Sequence, residues 1–191
     1  GYFVSESTRH MSEYVPYFRK SDELMERFGL NAISVDLSRL EKRNDEYFLR
    51  MEEEVAGEAR IEATRSDEYA CRIMGAMETG EPVVINGNVR NEGLITNLAE
   101  GSCVEVPCLV DRLGLHPMSV GDLPPHLAAL NRSNIAVQEL GVRAVLDGSR
   151  EAARHAVMVD PLTAGMLPLD RIVEMFDEMW AAQGDQLARY E

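Results

Sequence analysis

The sequence lacks the motifs from which nucleotide-binding sites and serine hydrolase sites are usually built. It contains no Gly-x-Gly-x-x-Gly and no Gly-x-x-x-x-Gly-Lys, so neither a dinucleotide-binding turn nor a phosphate-binding loop is predicted. It also contains no Gly-x-Ser-x-Gly, the turn that presents a nucleophilic serine in one large class of hydrolases. A self-contained enzyme is therefore hard to build from these 191 residues alone.

Cysteine and long apolar runs are scarce as well. The three cysteines are Cys71, Cys103 and Cys108, an odd number in a chain long enough to bury a core without disulfides, which favours a reducing cytoplasm. Cys103 and Cys108 lack the tight pairing of a zinc site, so no metal ligand is predicted. No run of eighteen apolar residues and no signal-peptide pattern occur, so no membrane partner is expected.

Basic residues are also few compared with acidic ones. The chain has 19 basic and 33 acidic residues and a formal net charge of -14, which argues against a nucleic-acid partner because phosphate binding needs clustered Lys and Arg. Hydrophobic residues make up 45% of the chain and charged residues 27%, values typical of a globular domain. The chain opens with Gly1 rather than Met and runs directly into apolar residues, so we expect it to be a portion of a longer protein.

The pattern of elements predicts an α+β fold, because helices come first, then strands, then helices again. The predicted helices lie at 21–28, 36–55, 66–80, 122–146, 149–158 and 169–189, and the predicted strands at 82–85, 102–110 and 115–120. Asn86-Gly87-Asn88 is a turn signal that would end the first strand. The segment before residue 20 is predicted to be a loop with at most one short turn of helix, because Pro16 breaks a helix.

Three groups of polar residues could carry chemistry. His10 and Tyr14 lie in a segment rich in reactive side chains; His moves protons near neutral pH, and a tyrosine hydroxyl becomes a base where nearby positive charge favours the phenolate. The alternative is a surface loop with aromatic anchors.

The run 86–91 suits a polar ligand such as a sugar, or it is only a turn. Three amides on one face of the 122–146 helix, Asn131, Asn134 and Gln138, either line a site or bond the backbone of a loop. His116, His126 and His155 are isolated and are interpreted as structural.

Five blocks of the sequence resemble the family 4 glycoside hydrolases, in particular their α-galactosidase branch. The first is residues 1–20, which contains Thr8-Arg-His-Met-Ser-Glu-Tyr14. The others are residues 86–98, 103–111, 120–125 with 130–135 and 138–140, and 160–163. The blocks occur in order over almost the whole chain. The resemblance implies a single C-terminal domain over residues 1–191, similar to the C-terminal domain of lactate dehydrogenase, in which long helices pack on a small, mostly antiparallel sheet.

The resemblance also implies a reaction. Family members use NAD and a divalent metal, usually manganese: hydride leaves C3 of the sugar, a base removes the C2 proton, the aglycone leaves C1 by elimination, and water and hydride then return. By resemblance, Tyr14 is the catalytic base, and His10, Asn88 and Asn91 contact the substrate. The Rossmann domain that holds NAD and the Cys and His that bind metal are absent from these residues, so no cofactor-binding or metal-binding residue is predicted here.

The partner implied by the resemblance is a small glycoside, and the expected assembly is a homo-oligomer, a dimer or tetramer. A neutral hexoside, and above all an α-galactoside, is favoured because no residue matches the phosphate-reading Arg of the 6-phospho-sugar branch; α-glucosides and uronides stay open. The alternative function is a non-catalytic dimerisation or regulatory module of the same fold.

Overall fold

The computed structural model describes residues 8–30, 37–60 and 68–190. Its helices are α1 (Thr8–Tyr14), α2 (Asp22–Arg27), α3 (Leu37–Ala56), α4 (Ala70–Thr79), α5 (Pro125–Asp147), α6 (Arg150–Val159), α7 (Pro161–Met166) and α8 (Leu169–Gln183), and a short 3-10 helix (Gly184–Leu187) follows α8. Its strands are β1 (Val83–Arg90), β2 (Cys103–Asp111) and β3 (Gly114–Pro117). The order of helices, strands and helices confirms the predicted α+β class.

The three strands form an antiparallel sheet in the order β1-β2-β3. One face of β2 is apolar at every second position, and its four side chains are all buried: Val104, Val106, Cys108 and Val110. They pack with Ile85 of β1 and Ala76 of α4, which lies against this face. A fully buried valine contributes about 1.5–3 kcal/mol to stability, so this face is the main apolar core of the sheet.

The predicted turn at residues 86–88 is wrong, because β1 continues straight through it. Asn86, Gly87 and Asn88 pair with Pro107, Val106 and Glu105 of β2. Gly87 is needed for space rather than for a turn, since a Cβ there would lie 3.0 Å from the Sγ of Cys108. A glycine inside a strand commonly marks such a close approach.

The second half of the chain is helical and follows its local signals closely. Helix α5 begins at Pro125 and ends before Gly148, whose φ of +66° suits glycine. Ser149 then caps α6 by accepting a hydrogen bond from the backbone N–H of Ala152. Helix α6 packs along α5 and against α8.

The sequence did not predict α7, and it placed the end of α8 wrongly. Asp160 caps α7 by accepting from the backbone N–H of Thr163 at 2.7 Å. Helix α8 ends at Gln183, not near residue 189, because Gly184 interrupts it. Helix α4 begins at Ala70, whereas the predicted start at Ser66 lies outside the described residues.

Helix α3 matches its predicted bounds, but its apolar side chains are not buried. Every residue from 41 to 56 is exposed except Glu54, which is half-buried. Tyr47, Phe48 and Met51, which recur at helical spacing, are therefore exposed. Met74 and Met77 of α4 are exposed as well.

No helix among the described residues is long and apolar enough to cross a bilayer.

Candidate functional site

Helix α1 brings two of the predicted site residues together. His10 and Tyr14 are four residues apart on this seven-residue helix, a spacing that puts both side chains on one face. Tyr14 is 50% exposed, and the His10 side chain is 58% exposed. The His10 Nδ1 lies 3.7 Å from the Glu13 Oε2. Tyr14 is the last helical residue, because Pro16 disfavours helical backbone in the residue before it.

The opposite side of α1 is locked by a buried polar network that the sequence did not predict. Arg19 is only 2% exposed, and its Nε donates to the Oγ of the fully buried Ser12 at 2.9 Å. Its second guanidinium nitrogen lies 3.3 Å from the Glu13 Oε1. The Ser12 hydroxyl in turn donates to the backbone carbonyl of Arg9. A buried cation without partners would be costly, so these contacts fold residues 15–19 back onto α1.

Two contacts from elsewhere in the chain hold this segment. The side-chain amide of Asn134 on α5 donates to the backbone carbonyl of Tyr14 at 3.0 Å and to that of Leu130 at 3.1 Å. On the other side, α7 comes so close that a Cβ on Gly165 would lie 3.0 Å from the Cα and Cβ of Pro16.

The other two amide side chains of α5, those of Asn131 and Gln138, make different contacts. The Asn131 amide donates to the Leu127 carbonyl within its own helix, whereas Gln138 lines an open groove of about 500 Å3 between α5 and residues 99–103. Asn134 matches neither of the two predicted roles fully, because its amide bonds the exposed backbone carbonyl at the end of helix α1 rather than a buried loop.

Asn91 is buried in the loop after β1, with 1% of its surface exposed. Its Nδ2 lies within 3.3 Å of the carbonyl oxygens of Ile95, Leu98 and Ala99. Its Oδ1 accepts from the Ile95 N–H at 3.0 Å. Because both ends of the amide are already bonded, the geometry favours a structural role for Asn91 over the predicted substrate contact.

Asn88 has a different environment, since it is exposed on β1 opposite Glu105. It lies in the sheet, while Tyr14 lies on α1. Helix α5 contacts both regions, since its Arg132 donates to the Asn97 carbonyl at 3.1 Å and its Asn134 donates to the Tyr14 carbonyl. Residues two apart point to different sides of a helix, so these two contacts fall on different sides of α5.

The described residues do not fit a metal ion by themselves. No group of three or more His, Cys, Asp or Glu side chains converges within residues 8–30, 37–60 and 68–190. Cys71 and Cys103 are exposed on different elements, and Cys108 points into the apolar core. His116 bonds Asp111 at 3.1 Å in the β2–β3 hairpin, as a structural histidine would.

Comparison with known proteins adds sequence and fold relationships. Residues 1–163 match the model of the family 4 glycosyl hydrolase C-terminal domain. An α-galactosidase of Bacillus subtilis (strain 168) is 39% identical over 196 residues, covering 100% of this chain and 44% of that protein. An α-galactosidase of Rhizobium meliloti (strain 1021) is 34% identical over 206 residues, covering 100% of this chain and 40% of that protein. The chain thus spans about two fifths of these relatives.

Solved structures show the same fold at lower identity. The Bacillus subtilis protein lplD superposes with a TM-score of 0.76 and 22% identity, covering 91% of this chain and 38% of that one. A 6-phospho-α-glucosidase from gut microorganisms, solved in complex with NAD and Mn2+, superposes with a TM-score of 0.63 and 22% identity, covering 76% of this chain and 33% of that one. At these identities the likeness establishes the fold.

Proposed function

The chain belongs to the family 4 glycosyl hydrolases, as their C-terminal domain, and from that membership we propose that it supplies the catalytic base of an NAD- and divalent-metal-dependent glycosidase. Because the chain spans about two fifths of its α-galactosidase relatives, the activity belongs to a longer protein that contains these residues, called here the complete enzyme. We propose that residues 1–191 form one domain of that enzyme, and that it works in the cytoplasm as a dimer or tetramer.

The observation that carries the proposal is the presentation of Tyr14. Its ring is half-exposed at the end of α1, while the backbone around it is held by the buried Arg19 and by Asn134. An ordinary surface tyrosine needs no such support. A side chain that must meet a reacting atom within hydrogen-bond distance does need it.

The proposed step for Tyr14 is removal of the C2 proton of the sugar. A bound NAD would supply oxidation at C3, which would make this proton acidic. The Tyr14 Oη, as the phenolate, accepts the proton. The electron pair of the C2–H bond then forms the C1–C2 double bond, the bond from C1 to the aglycone oxygen breaks, and the aglycone leaves as an alcohol after taking a proton from water. His10, one turn earlier on the same face, is positioned to contact a sugar hydroxyl beside Tyr14.

The cofactors are proposed to be NAD and Mn2+, which one structural relative carries. The described residues of this chain do not provide a metal site, so both groups are assigned mainly to the N-terminal portion of the complete enzyme. An α-galactoside is the proposed substrate, because the two α-galactosidases match over the entire chain. The α-galacturonidases and α-glucosidases among the relatives match at lower identity or over less of the chain.

Replacement of Tyr14 by Phe in the complete enzyme tests this function. The Phe variant removes the hydroxyl and keeps the ring, so we expect kcat on a nitrophenyl α-galactoside to fall by about two to four orders of magnitude, the usual contribution of a general base. The apparent substrate affinity should change little. Exchange of the C2 proton with deuterium oxide, followed by NMR, should slow in parallel.

His10→Ala serves as the paired variant. If His10 contacts the sugar, its loss raises KM, whereas an unchanged KM and kcat would make it a residue of the helix surface. If the Phe variant at Tyr14 exchanges the C2 proton at the normal rate, Tyr14 is not the base. An inactive complete enzyme, supplied with NAD, Mn2+ and a reductant, would favour the non-catalytic module instead.

A further inference from the structure

We propose that Asn134 and Gly165 are positioning residues that fix Tyr14 for catalysis, one by a hydrogen bond and the other by close packing. The inference rests on the proposed role of Tyr14 as base. Neither residue is near Tyr14 in sequence: Asn134 is 120 residues away, and Gly165 is farther along the chain. Both contacts fall on the segment from Tyr14 to Pro16, the place where α1 ends.

Helix α1 needs outside support because it is short. It has seven residues, and isolated helices of fewer than about twelve are marginal in water. The Arg19 hydrogen bonds to Ser12 and Glu13 join residues 9–19 to one another. The contacts with α5 and α7 join the end of α1 to the helical half of the domain, and they set where the Tyr14 ring points relative to it.

Asn134 provides the first of these contacts, at the backbone carbonyl oxygen of Tyr14. The last four carbonyls of a helix have no partner within the helix, and the Tyr14 carbonyl is one of them. The Asn134 amide donates to this oxygen at 3.0 Å and also to its own helix at Leu130. Since the Asn134 Nδ2 donates to both carbonyls, one on each helix, it ties the end of α1 to the long helix α5.

Gly165 provides the second contact, because the absence of a side chain lets Pro16 pack closely against α7. A Cβ at this position would lie 3.0 Å from two carbon atoms of Pro16 and 3.2 Å from the Pro16 carbonyl oxygen. Contacts this short force a shift of a few tenths of an ångström, and two of the three atoms belong to the backbone. The segment after Tyr14 is therefore seated directly on α7, and an alanine would push it away.

The first experiment compares Asn134→Ala with Asn131→Ala in the complete enzyme. Asn131 is a matched control, because it lies one turn earlier on α5, is exposed, and donates only within its own helix. We expect Asn134→Ala to lower kcat by about 10- to 100-fold, the scale of a misplaced catalytic group, with KM changed by less than about three-fold. The control should retain the kcat of the wild type.

The second experiment compares Gly165→Ala with Gly141→Ala. Gly141 lies inside α5, and a Cβ there would meet no atom within 4 Å. We expect Gly165→Ala to lower kcat by about 10-fold and Gly141→Ala to leave it unchanged. This pair keeps the inference testable even if Asn134→Ala does not accumulate as folded protein.

A double variant separates positioning from general stability. If Asn134 acts through Tyr14, the Asn134→Ala change should cost almost no further activity in a Tyr14→Phe background, so the two effects are not additive. C2 proton exchange should fall with kcat in the single variant, while the melting temperature stays close to that of Asn131→Ala.

The outcomes distinguish this inference from the proposed function. If Tyr14→Phe retains full C2 exchange, the base assignment itself fails. If Tyr14→Phe loses exchange but Asn134→Ala behaves like Asn131→Ala and Gly165→Ala like Gly141→Ala, only the positioning roles are overturned. Additive losses in the double variant would also overturn them.

Discussion

At the scale of the residue, Asn91 illustrates how a polar side chain near a predicted ligand loop can belong to the interior instead. Its amide lies against three carbonyl oxygens and accepts one backbone N–H, all from residues 95–99. Backbone polar groups buried in a loop must find partners, and here a single side chain supplies them. The loop that follows β1 is thus built around Asn91.

Asn91→Ala should destabilise the complete enzyme by about 1–3 kcal/mol, because buried backbone groups lose their partner. Asn91→Asp should cost more, since it places carboxylate oxygens against the carbonyls of Ile95 and Ala99. Urea unfolding measures both. Asn88→Ala is the matched control at an exposed position and should stay within about 0.5 kcal/mol.

A different result would contradict the structural role of Asn91 in the loop after β1. If Asn91→Ala unfolds at the same urea concentration as the wild type and raises KM, the side chain contacts substrate, as the resemblance implied. A raised KM for Asn88→Ala alone would keep the exposed asparagine as the substrate contact of this pair.

Some residues of the candidate site could be found in the sequence and others could not. Tyr14 and His10 stand out because their side chains move protons and because their block resembles a known family. Arg19 carries no such signal, since an arginine in a polar segment is usually solvated. Its burial depends on Ser12 and Glu13 folding back against it, which is a tertiary arrangement.

At the scale of the element, helix ends were predicted well where the signal is local. Ser21 accepts from the Leu24 N–H, and Ser149 caps α6 in the same way. The cap residue and its partner lie within one turn, so the sequence alone contains the interaction. Gly87 was misread because its reason, the nearby Sγ of Cys108, lies on another strand.

The hairpin between β2 and β3 carries a pH-dependent contact that can be tested. A hydrogen bond from His116 lowers the pKa of Asp111 below 3.8, helped by the backbone N–H of Leu113. A lowered pKa means that the folded state favours the carboxylate. Its contribution to stability is therefore complete above about pH 4 to 5 and is lost as pH falls below 3.8.

Asp111→Asn should consequently destabilise the chain more at neutral pH than at about pH 2, where the carboxylate is protonated in both states. Urea unfolding over a pH series measures the difference. His116→Gln is the accompanying variant; it removes the imidazole that bonds Asp111 and should weaken the pH dependence. If the difference in the free energy of unfolding between Asp111→Asn and the wild type stays constant with pH, the contact between Asp111 and His116 does not cause the pH dependence.

At the scale of the whole molecule, much apolar surface remains uncovered. Large side chains contribute at several places, among them Phe48 and Val55 on α3, Leu113 in the hairpin and Leu146 on α5. The sequence predicted the bounds of α3 correctly, but it could not show that the apolar side chains of this helix are exposed.

We therefore expect residues 1–191, expressed alone, to self-associate or to bind a dye that reports exposed apolar surface. Apolar patches well above a few hundred Å2 are rare on soluble monomers and usually mark contact surfaces. In the complete enzyme, the N-terminal portion and a second subunit should cover part of this area, so dye binding per mole should fall. Sedimentation velocity and fluorescence titration on both proteins measure this. Replacing Phe48 and Val55 together by Ser in the isolated chain should reduce dye binding, because both side chains belong to the exposed face of α3. If the isolated chain is a monodisperse monomer and the dye fluorescence does not rise, this surface is stable in water without a partner.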